Sequence, residues 1–335
     1  MKILFIGGTG LISSACTELA AARGMEVYLL NRAVSQKYPA PSGVHLLTAD
    51  IRGDENALEA LLKPYIFDAV VDWVAFTPEH IERDIRLFTG KTNQFVFISS
   101  ASVYEKPPSY YVITERTRLS NPFWQYSRDK IACEERLMAE YRQHGFPVTI
   151  IRPSLTYGPS QIPLNVNSWQ QPYTLIDRMQ RGQKIIIPGD GTSLWGMTWN
   201  GDFAVGLSGL FGRKDAVGED FHITSDEVLT WNQLYAETGR ALGLEPVFVH
   251  VPSDLIAAYD FEAVGSLLGD KSHSAVFDNS KIRRFVPEFD PKVTWAEGIR
   301  RAIAWHEADP KRQTIDEAAT LLWDKILAVY ERALP

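Results

Sequence analysis

The sequence predicts an α/β fold, a doubly wound parallel sheet accompanied by a smaller, mostly helical lobe. Short apolar runs of β type alternate with amphipathic helical patterns through the first half of the chain. A glycine-rich turn, Gly7–Gly10, joins the first of these runs to the first helical pattern. From about residue 160 onward the alternation ends and helical patterns dominate. Alternating strands and helices form βαβ units, in which helices cover both faces of a parallel sheet.

Each predicted element of the first half rests on the spacing of its apolar residues. The strands are predicted at Lys2–Ile6, Glu26–Leu30, Val44–Leu47, Ala69–Val74, Gln94–Ser99 and Val148–Arg152. The helices are predicted after the Gly7–Gly10 turn, around Glu55–Leu62, around Pro78–Phe88 and over Trp124–His144. A sheet of this kind binds ligands at the carboxyl ends of its strands, and the polar motifs of this chain fall there.

The second half has the features of a separate, smaller lobe. Ser160–Tyr173 is rich in Pro, Asn, Gln and aromatic residues and shows no periodicity. Helical patterns follow near Asn232–Leu242, Ser253–Leu268, Thr294–Glu307 and Thr314–Arg332. We therefore predict a sheet domain of residues 1–160 plus about 193–225, and a lobe of residues 161–192 and 226–335.

Composition and charge narrow the class of protein. The 335-residue chain is 45% hydrophobic and 22% charged, as is usual for a globular protein. Its net charge of -7 disfavours nucleic acid as a partner, because phosphates attract basic surfaces. Cys16 and Cys133 are its two cysteines, which form no disulfide framework, so a reducing, cytoplasmic location is predicted. No apolar run approaches the ~18 residues of a membrane span, and the histidines lack metal-ligand spacing, so neither a membrane contact nor a metal site is predicted.

The segment Gly7–Ser13 predicts a site for the pyrophosphate of a dinucleotide. Its glycines let the backbone approach phosphates, which the amides and dipole at the start of the next helix would hold. At the end of the second predicted strand, Asn31 and Arg32 stand where a carboxylate would reject a 2′-phosphate. A guanidinium there suits that phosphate, so NADP is favoured over NAD. Asp50, after the third strand, could accept a hydrogen bond from the adenine amino group.

A tyrosine–lysine pair completes an ordered set of motifs. Tyr126 and Lys130 form the only Tyr-x3-Lys pair among the thirteen tyrosines, and they follow an apolar run that ends in Ser99–Ser102. With its motifs in this order, the chain resembles the short-chain dehydrogenase/reductase superfamily, in the extended or atypical branch that includes the NAD-dependent epimerase/dehydratase family. The resemblance rests on Gly7–Ser13, Asp50–Ile51, Trp73–Ala75, Ser99–Tyr104, Tyr126–Lys130, Arg152–Pro159 and Pro188–Asp202, with a looser likeness in Asp278–Lys281 and Trp295–Gly298. It implies a Rossmann sheet domain and a lobe that binds the substrate.

The resemblance implies roles for three polar residues. Tyr126 would transfer the proton, Lys130 would activate it, and Ser100 would hydrogen-bond the substrate oxygen. Helix positions i and i+4 share a face, so Lys130 is expected beside Tyr126, where it could also hold the nicotinamide ribose. A free phenol has a pKa of about 10, and a neighbouring ammonium together with a positive nicotinamide ring favours the phenolate.

The resemblance also places a nicotinamide cofactor, NADP by preference or else NAD, along the strand ends. The predicted cofactor contacts are Gly7, Thr9, Gly10, Leu11, Ile12, Asn31, Arg32, Asp50, Ile51, Trp73, Val74, Ala75, Ser99, Tyr126, Lys130, Pro153 and Leu155.

The substrate end departs from the best-known relatives. Nucleotide-sugar epimerases and dehydratases carry an Asn where this chain has Leu155, and an Arg that clamps the diphosphate where it has Trp195. Loss of a charge-assisted clamp would weaken diphosphate binding. An aromatic pocket would instead suit an uncharged ring, sugar or polyketide-like ligand. The predicted substrate contacts are Phe76, Ser102, Tyr157, Trp169 and Trp195.

Three hypotheses for the function follow. The favoured one is an NADP(H)- or NAD(H)-dependent oxidoreductase acting on a small carbonyl, hydroxyl or sugar-like compound. The second is a sugar, possibly nucleotide-sugar, epimerase or dehydratase that recycles tightly bound NAD. The third is a non-catalytic nucleotide sensor or RNA-associated protein, against which the Ser/Tyr/Lys set and the acidic charge both weigh. A homodimer through the helices near Pro78–Phe88 and Trp124–His144 is a further prediction.

Overall fold

A computed structural model describes residues 1–34 and 37–333 of the chain. The strands in chain order are β1 (Lys2–Ile6), β2 (Glu26–Asn31), β3 (His45–Thr48), β4 (Ala69–Asp72), β5 (Phe95–Ile98), β6 (Val112–Ile113), β7 (Val148–Pro153), β8 (Thr156–Tyr157), β9 (Ile185–Pro188), β10 (Leu194–Trp195), β11 (Thr198–Trp199), β12 (Asp220–Ile223), β13 (Leu229–Thr230), β14 (Phe248–Val251) and β15 (Val276–Phe277). The helices are α1 (Ser13–Ala22), α2 (Glu55–Leu62), α3 (Pro78–Phe88), α4 (Gln125–His144), α5 (Thr174–Gln180), α6 (Asn200–Ser208), α7 (Trp231–Ala241), α8 (Ser253–Tyr259), α9 (Ser280–Phe285), α10 (Trp295–Glu307) and α11 (Glu317–Arg332), with a π-helix at Val264–Lys271.

Within the described residues, the central sheet has seven parallel strands in the order β3-β2-β1-β4-β5-β7-β12. The strand order reverses between β1 and β4, where Ile6 pairs with Leu30 on one side and Asp72 on the other. The carboxyl ends of β1, β2 and β4 therefore meet at one edge, where ligands bind in doubly wound sheets. The predicted α/β fold is confirmed.

Apolar side chains cover both faces of this sheet, which explains why its strands are nearly continuous apolar runs. On one face, α1 and α6 pack over Phe5, Leu29 and Phe221. On the other, α2, α3 and α4 pack over Leu4 and Phe95. Helices packed on both faces hold the sheet in place, and the sheet positions the loops at its carboxyl edge.

The second half of the chain packs around a separate apolar core. Trp231, Trp295 and Tyr235 lie at its centre and are fully buried. The helix predicted near Ser253–Leu268 is interrupted. α8 ends at Tyr259 because the backbone of Asp260 is extended, and the π-helix begins at Val264. β12 lies in the central sheet, although it follows part of the lobe in sequence. The division into a sheet domain and a lobe at the predicted boundaries stays a prediction.

No helix in residues 1–34 or 37–333 has both the length and the apolar character needed to cross a bilayer. The same described residues contain no group of three or more His, Cys, Asp or Glu side chains placed to hold a metal ion. The cytoplasmic location and the homodimer stay predictions.

Candidate active site

A cavity of about 1560 Å³ opens at the carboxyl edge of the sheet and extends into the lobe. We call the part lined by the loops after β1, β2, β3 and β4 the sheet half. The part lined by residues 163–169, Trp195, the 256–271 segment and the start of α11 is the lobe half. Ser100 and Tyr126 also line the cavity, and the Tyr126 ring centre lies 6.4 Å from that of Phe76 and 5.0 Å from that of Trp124.

The glycine turn after β1 forms the floor of the sheet half. Gly7 and Gly8 have φ angles of 106° and 85°, which favour glycine. A Cβ atom at Gly8 would lie 2.5 Å from Cδ2 of Leu29, so the backbone also needs glycine for space. Ile12, at the N-cap position of α1, makes no side-chain hydrogen bond to the first-turn amides, and the Ser14 amide donates to the Gly10 carbonyl at 3.0 Å. This arrangement fits the pyrophosphate of a dinucleotide.

Polar side chains at the ends of β2 and β3 surround the next part of the sheet half. The Asn31 amide donates to the Gly7 carbonyl at 3.3 Å and accepts from the Ala33 backbone at 2.8 Å. Arg32 lies in the cavity wall and is exposed. Sequence reasoning missed Arg52, which donates to the Val74 carbonyl at 2.7 Å. Its position just after Asp50 was the only signal.

A buried carboxyl pair supports the loop after β4. Asp72 accepts hydrogen bonds from the backbone amides of Val74 and Ala75 at 2.5 and 2.8 Å. Asp84 on α3 is buried beside Asp72, and burial followed by the Asp72 charge raises the pKa of Asp84 well above its usual range. Asp72 therefore fixes the loop that lines the cavity through its two backbone hydrogen bonds.

The predicted catalytic residues lie close together, although Lys130 takes an unexpected position. The Ser100 hydroxyl is near enough to the Tyr126 phenol to lower its pKa, and it hydrogen-bonds the Ser102 hydroxyl at 2.9 Å. The Lys130 Nζ atom is 5.8 Å from the centre of the Tyr126 ring and outside the cavity wall. It donates instead to the carbonyls of Ala75 and Ile98, at 2.6 and 2.8 Å. Lys130 thus ties the loop after β4 to the end of β5, directly behind the tyrosine.

Burial shifts the pKa values of both Tyr126 and Lys130. It raises the pKa of Tyr126, and the neighbouring Ser100 hydroxyl lowers it in part. Burial also lowers the pKa of Lys130 to about 8. The predicted lowering of the phenol pKa is therefore not produced by Lys130 in this arrangement, because the ammonium is directed at carbonyl oxygens.

Several buried polar atoms in the cavity wall have no hydrogen-bond partner within residues 1–34 and 37–333. The Ser154 hydroxyl and the Trp73 indole nitrogen lie in the wall near the strand ends. In the lobe half, both polar atoms of the Asn165 amide are without partners. Buried polar groups normally form hydrogen bonds, so these atoms fit a site whose ligand supplies the partners.

The structure brings most of the predicted site residues together. The cavity wall contains Gly7, Thr9, Gly10, Leu11, Ile12, Asn31, Arg32, Asp50, Ile51, Trp73, Val74, Phe76, Ser99, Ser100, Ser102, Tyr126, Pro153, Leu155, Trp169 and Trp195. Ala75 lies behind the wall, where its carbonyl binds Lys130. Trp195 contacts the cavity with one face and donates from its indole nitrogen to the His273 carbonyl at 3.1 Å.

The prediction that Tyr157 contacts the substrate is wrong. Its side chain is fully buried in the lobe core, with its ring 5.2 Å from both Trp199 and Trp295, and it does not reach the cavity. The reason is the strand alternation on β8, which directs Thr156 toward the cavity and Tyr157 away from it.

Sequence reasoning also missed a charged cluster in the lobe half. The Lys106 Nζ atom lies 3.2 Å from Asp270, and the Lys271 Nζ atom lies 3.7 Å from the same carboxylate. Asp270 and Lys271 line the cavity. No local pattern could show this, because Lys106 and Asp270 are far apart in sequence.

Comparison with known proteins adds three findings. A model of the family described as "NAD dependent epimerase/dehydratase family" matches residues 3–223. UDP-N-acetyl-alpha-D-glucosaminuronate decarboxylase of Bacillus cytotoxicus is 25% identical over 340 residues, which cover 91% of this chain and 97% of the decarboxylase. The chloroplast stem-loop binding protein of 41 kDa b of Arabidopsis thaliana is 26% identical over 262 residues, 74% of this chain and 65% of that protein.

Solved structures share the fold. The crystal structure of UDP-glucuronic acid 4-epimerase from Bacillus cereus, in complex with UDP-glucuronic acid and NAD, superposes with a TM-score of 0.72. The two chains are 19% identical, and the match covers 91% of this chain and 98% of the epimerase.

Proposed function

Because the chain belongs to the NAD-dependent epimerase/dehydratase family, we propose that it oxidises a sugar-like substrate transiently and then returns the hydride. It would therefore act as an epimerase, dehydratase or related enzyme that keeps its cofactor. The carrying observation is that Ser100 and Tyr126 line the same cavity as the glycine turn. The resemblance stated from the sequence is confirmed, and the named relatives favour the second hypothesis over the net oxidoreductase.

The residues of the sheet half would hold the cofactor. Gly7, Gly8 and the start of α1 would bind its pyrophosphate, and Asp50 its adenine. When bound, the oxidised nicotinamide supplies a hydride acceptor and a positive charge that favours the tyrosine in its phenolate form.

The chain's own residues would handle the proton. Ser100 would orient the substrate hydroxyl, and Tyr126 would accept its proton as the carbon–oxygen bond becomes a carbonyl. For the reverse step Tyr126 returns the same proton when the hydride is restored, so protons and electrons balance over the cycle. Lys130 would keep the strand ends and the tyrosine in register through the Ala75 and Ile98 carbonyls.

Two observations bear on the identity of the cofactor. The Bacillus cereus epimerase was crystallised with NAD, which favours NAD here. Arg32 in the wall of the sheet half favours acceptance of a 2′-phosphate and so keeps NADP as a candidate. A net NADP(H)-dependent oxidoreductase is the second candidate function, because Arg32 suits the exchangeable cofactor that such an enzyme consumes.

The test is nucleotide analysis of the purified protein. Stoichiometric nicotinamide nucleotide that stays bound, with no net change in reduced cofactor during turnover, is the expected result. Weak, exchangeable binding with net oxidation or reduction of added NADP(H) would contradict the recycling function and establish the second candidate. The absence of any nicotinamide binding would contradict both, and an RNA-binding assay would then be warranted by the likeness to the stem-loop binding protein.

A further inference from the structure

Two lysines share one carboxylate at the lobe half of the cavity, one in the wall and one buried behind it. Lys106 is fully buried, with its side chain 1% exposed, and its Nζ atom lies 3.2 Å from Asp270. Lys271 lines the cavity, and its Nζ atom lies 3.7 Å from Asp270 and 3.5 Å from the Ser266 carbonyl. Both contacts of Lys271 are longer than ordinary hydrogen bonds. With all three groups ionised the cluster has one net positive charge, and the Lys271 ammonium has donors to spare. Burial lowers the pKa of Lys271 from its usual value.

The π-helix fixes this cluster relative to the predicted catalytic tyrosine. A Cβ atom at Gly265 would lie 2.2 Å from the Trp124 ring, and one at Gly269 would lie 2.9 Å from Cβ of Phe123. The Asn121 amide donates to the Gly269 carbonyl at 2.7 Å. The helix backbone is thus pressed against the residues that immediately precede α4. π-Helical turns are rare and occur frequently at functional sites.

The cluster is also near the reacting group. The Trp124 ring centre lies 5.0 Å from that of Tyr126 and 5.9 Å from the Lys271 Nζ atom. Burial is the largest cause of the raised pKa of Tyr126, and the Asp270 charge adds to it. Lys271 and Tyr126 therefore both border the Trp124 ring and both line the cavity.

The rest of the lobe-half wall, within the described residues, offers no second cation for a second negative charge. Among the described residues, its other charged wall residues are Asp260, Glu262 and Asp316, all acidic. Asp316 already accepts from the Ser168 hydroxyl and the Ala319 backbone amide. A diphosphate presents two phosphate groups, whereas a carboxylate or a phosphate monoester presents one anionic group, with roughly −1.5 to −2 charge in the case of the monoester. The one cation of this wall, Lys271, therefore matches a single anionic group.

We infer that Lys271, supported by Asp270 and Lys106, binds the one anionic group of the substrate, a carboxylate or a phosphate monoester, beside Tyr126. The substrate class is then a sugar acid or sugar monophosphate, not a nucleoside diphosphate sugar. This inference rests on the proposed function for the identity of the reacting site and adds the substrate class that the site selects.

The first test compares small probes on the protein with its nicotinamide cofactor bound. D-glucuronate carries a carboxylate, D-glucose 6-phosphate a phosphate monoester, D-glucose no charge, and UDP the diphosphate, and binding is followed by calorimetry or ligand-observed NMR. At least one of the two probes with a single anionic group should bind about tenfold more tightly than glucose and more tightly than UDP. Whichever of them binds more tightly identifies the anionic group. UDP binding that is tighter than both, or equal binding of charged and neutral sugars, would overturn the inference.

The second test removes the charge. Lys271→Met keeps the length of the side chain, and Lys292→Met removes a lysine that is 78% exposed and paired with Asp290. The first variant should lose about tenfold in affinity for the anionic probe while its glucose and cofactor binding change less than about twofold, and the second should match the wild type. Unchanged anion binding in a folded Lys271→Met protein would contradict the inference.

The proposed function and the role of Lys271 are tested by independent measurements. Cofactor content and net change of reduced cofactor are measured without any sugar probe, so their outcome judges the proposed function alone. Anion-selective binding tests whether Lys271 binds the anionic group, even if the enzyme proves to be a net oxidoreductase.

Discussion

The two halves of the cavity are built in different ways. The sheet half consists of backbone and short polar side chains at the ends of β1, β2, β3 and β4, which are neighbours in the parallel sheet. The lobe half combines a loop before α5, the π-helix and the start of α11, which meet only through tertiary packing. The first half therefore depends on local motifs and the second on how distant segments pack.

The halves also differ in charge. Arg32 and Arg52 stand in the wall of the sheet half, as suits a cofactor with several phosphates. In the lobe half, Lys271 is the one cation among the described wall residues, and Asp270 partly neutralises it. This difference in charge fits the proposed polyanionic cofactor in the sheet half and a substrate of low charge in the lobe half.

Removal of the phenol hydroxyl should have the largest effect and should separate chemistry from binding. Tyr126→Phe is expected to lower turnover by about 10²- to 10⁴-fold, because it removes the proton acceptor while the ring stays packed. Cofactor affinity should change less than about twofold, since the sheet half is intact. Turnover and nucleotide titration on the same preparation check both points. Turnover close to that of the wild type would remove Tyr126 from the mechanism.

The glycine turn tests how strictly the sheet half is built. Gly8→Ala places a Cβ 2.5 Å from Leu29 at a φ of 85°, so we expect a loss of about 2 kcal/mol of stability together with weaker cofactor binding. Gly24→Ala is the matched control, with a φ of 76° but no atom within 4 Å of the new Cβ. The control should cost about 1 kcal/mol and leave cofactor affinity unchanged. Thermal unfolding and nucleotide titration measure the two effects. An equal loss of cofactor affinity in both variants would contradict a role of the glycine turn in binding the cofactor.

Arg32 tests whether the charge of the sheet half selects the cofactor. Arg32→Glu should weaken NADP binding by about tenfold or more, because it replaces a cation by an anion near the 2′-phosphate. NAD binding should change much less. Arg116→Glu, an exposed arginine outside the cavity, is the control. If NADP and NAD affinities fall together, Arg32 does not contact the 2′-phosphate.

The smallest expected effect concerns the carboxyl pair behind the sheet half. Burial raises the pKa of Asp84 in the folded state, so its contribution to stability is complete below the unfolded value of about 4 and is lost as pH rises through the folded value. Asp84→Asn should remove this loss while still donating to Asp72. Its unfolding free energy relative to wild type should therefore rise by about 1 kcal/mol or more between about pH 5 and about pH 8.

Denaturant unfolding at several pH values measures the Asp84 effect. Asp290→Asn, at an exposed carboxylate, serves as the control and should show no such trend. A constant difference between Asp84→Asn and wild type across the same pH range would mean that Asp84 is ionised in the folded protein.

Sequence patterns predicted the elements of the sheet half closely. Lys2–Ile6, Glu55–Leu62 and Pro78–Phe88 begin and end where they were predicted, since each is a local pattern of apolar spacing. The helix predicted near Ser253–Leu268 is interrupted at Asp260. Its second part is a π-helix whose Gly265 and Gly269 pack against Trp124 and Phe123, a contact between distant segments that local spacing does not show. Tyr157 was misplaced for a related reason, since aromatic residues fit a lobe core and a cavity wall equally well from sequence alone.

The family, the parallel sheet, the glycine turn and the Ser100/Tyr126 pair are predictable from the sequence, because each depends on residues close in the chain or on an ordered set of motifs. The contacts of Lys130 with the Ala75 and Ile98 carbonyls, and of Lys106 and Lys271 with Asp270, are visible only in the three-dimensional structure. These contacts join residues that are far apart in the chain or depend on how a side chain packs. Backbone geometry fixes neighbouring residues, whereas the partner of a long charged side chain is set by whichever distant segment packs against it.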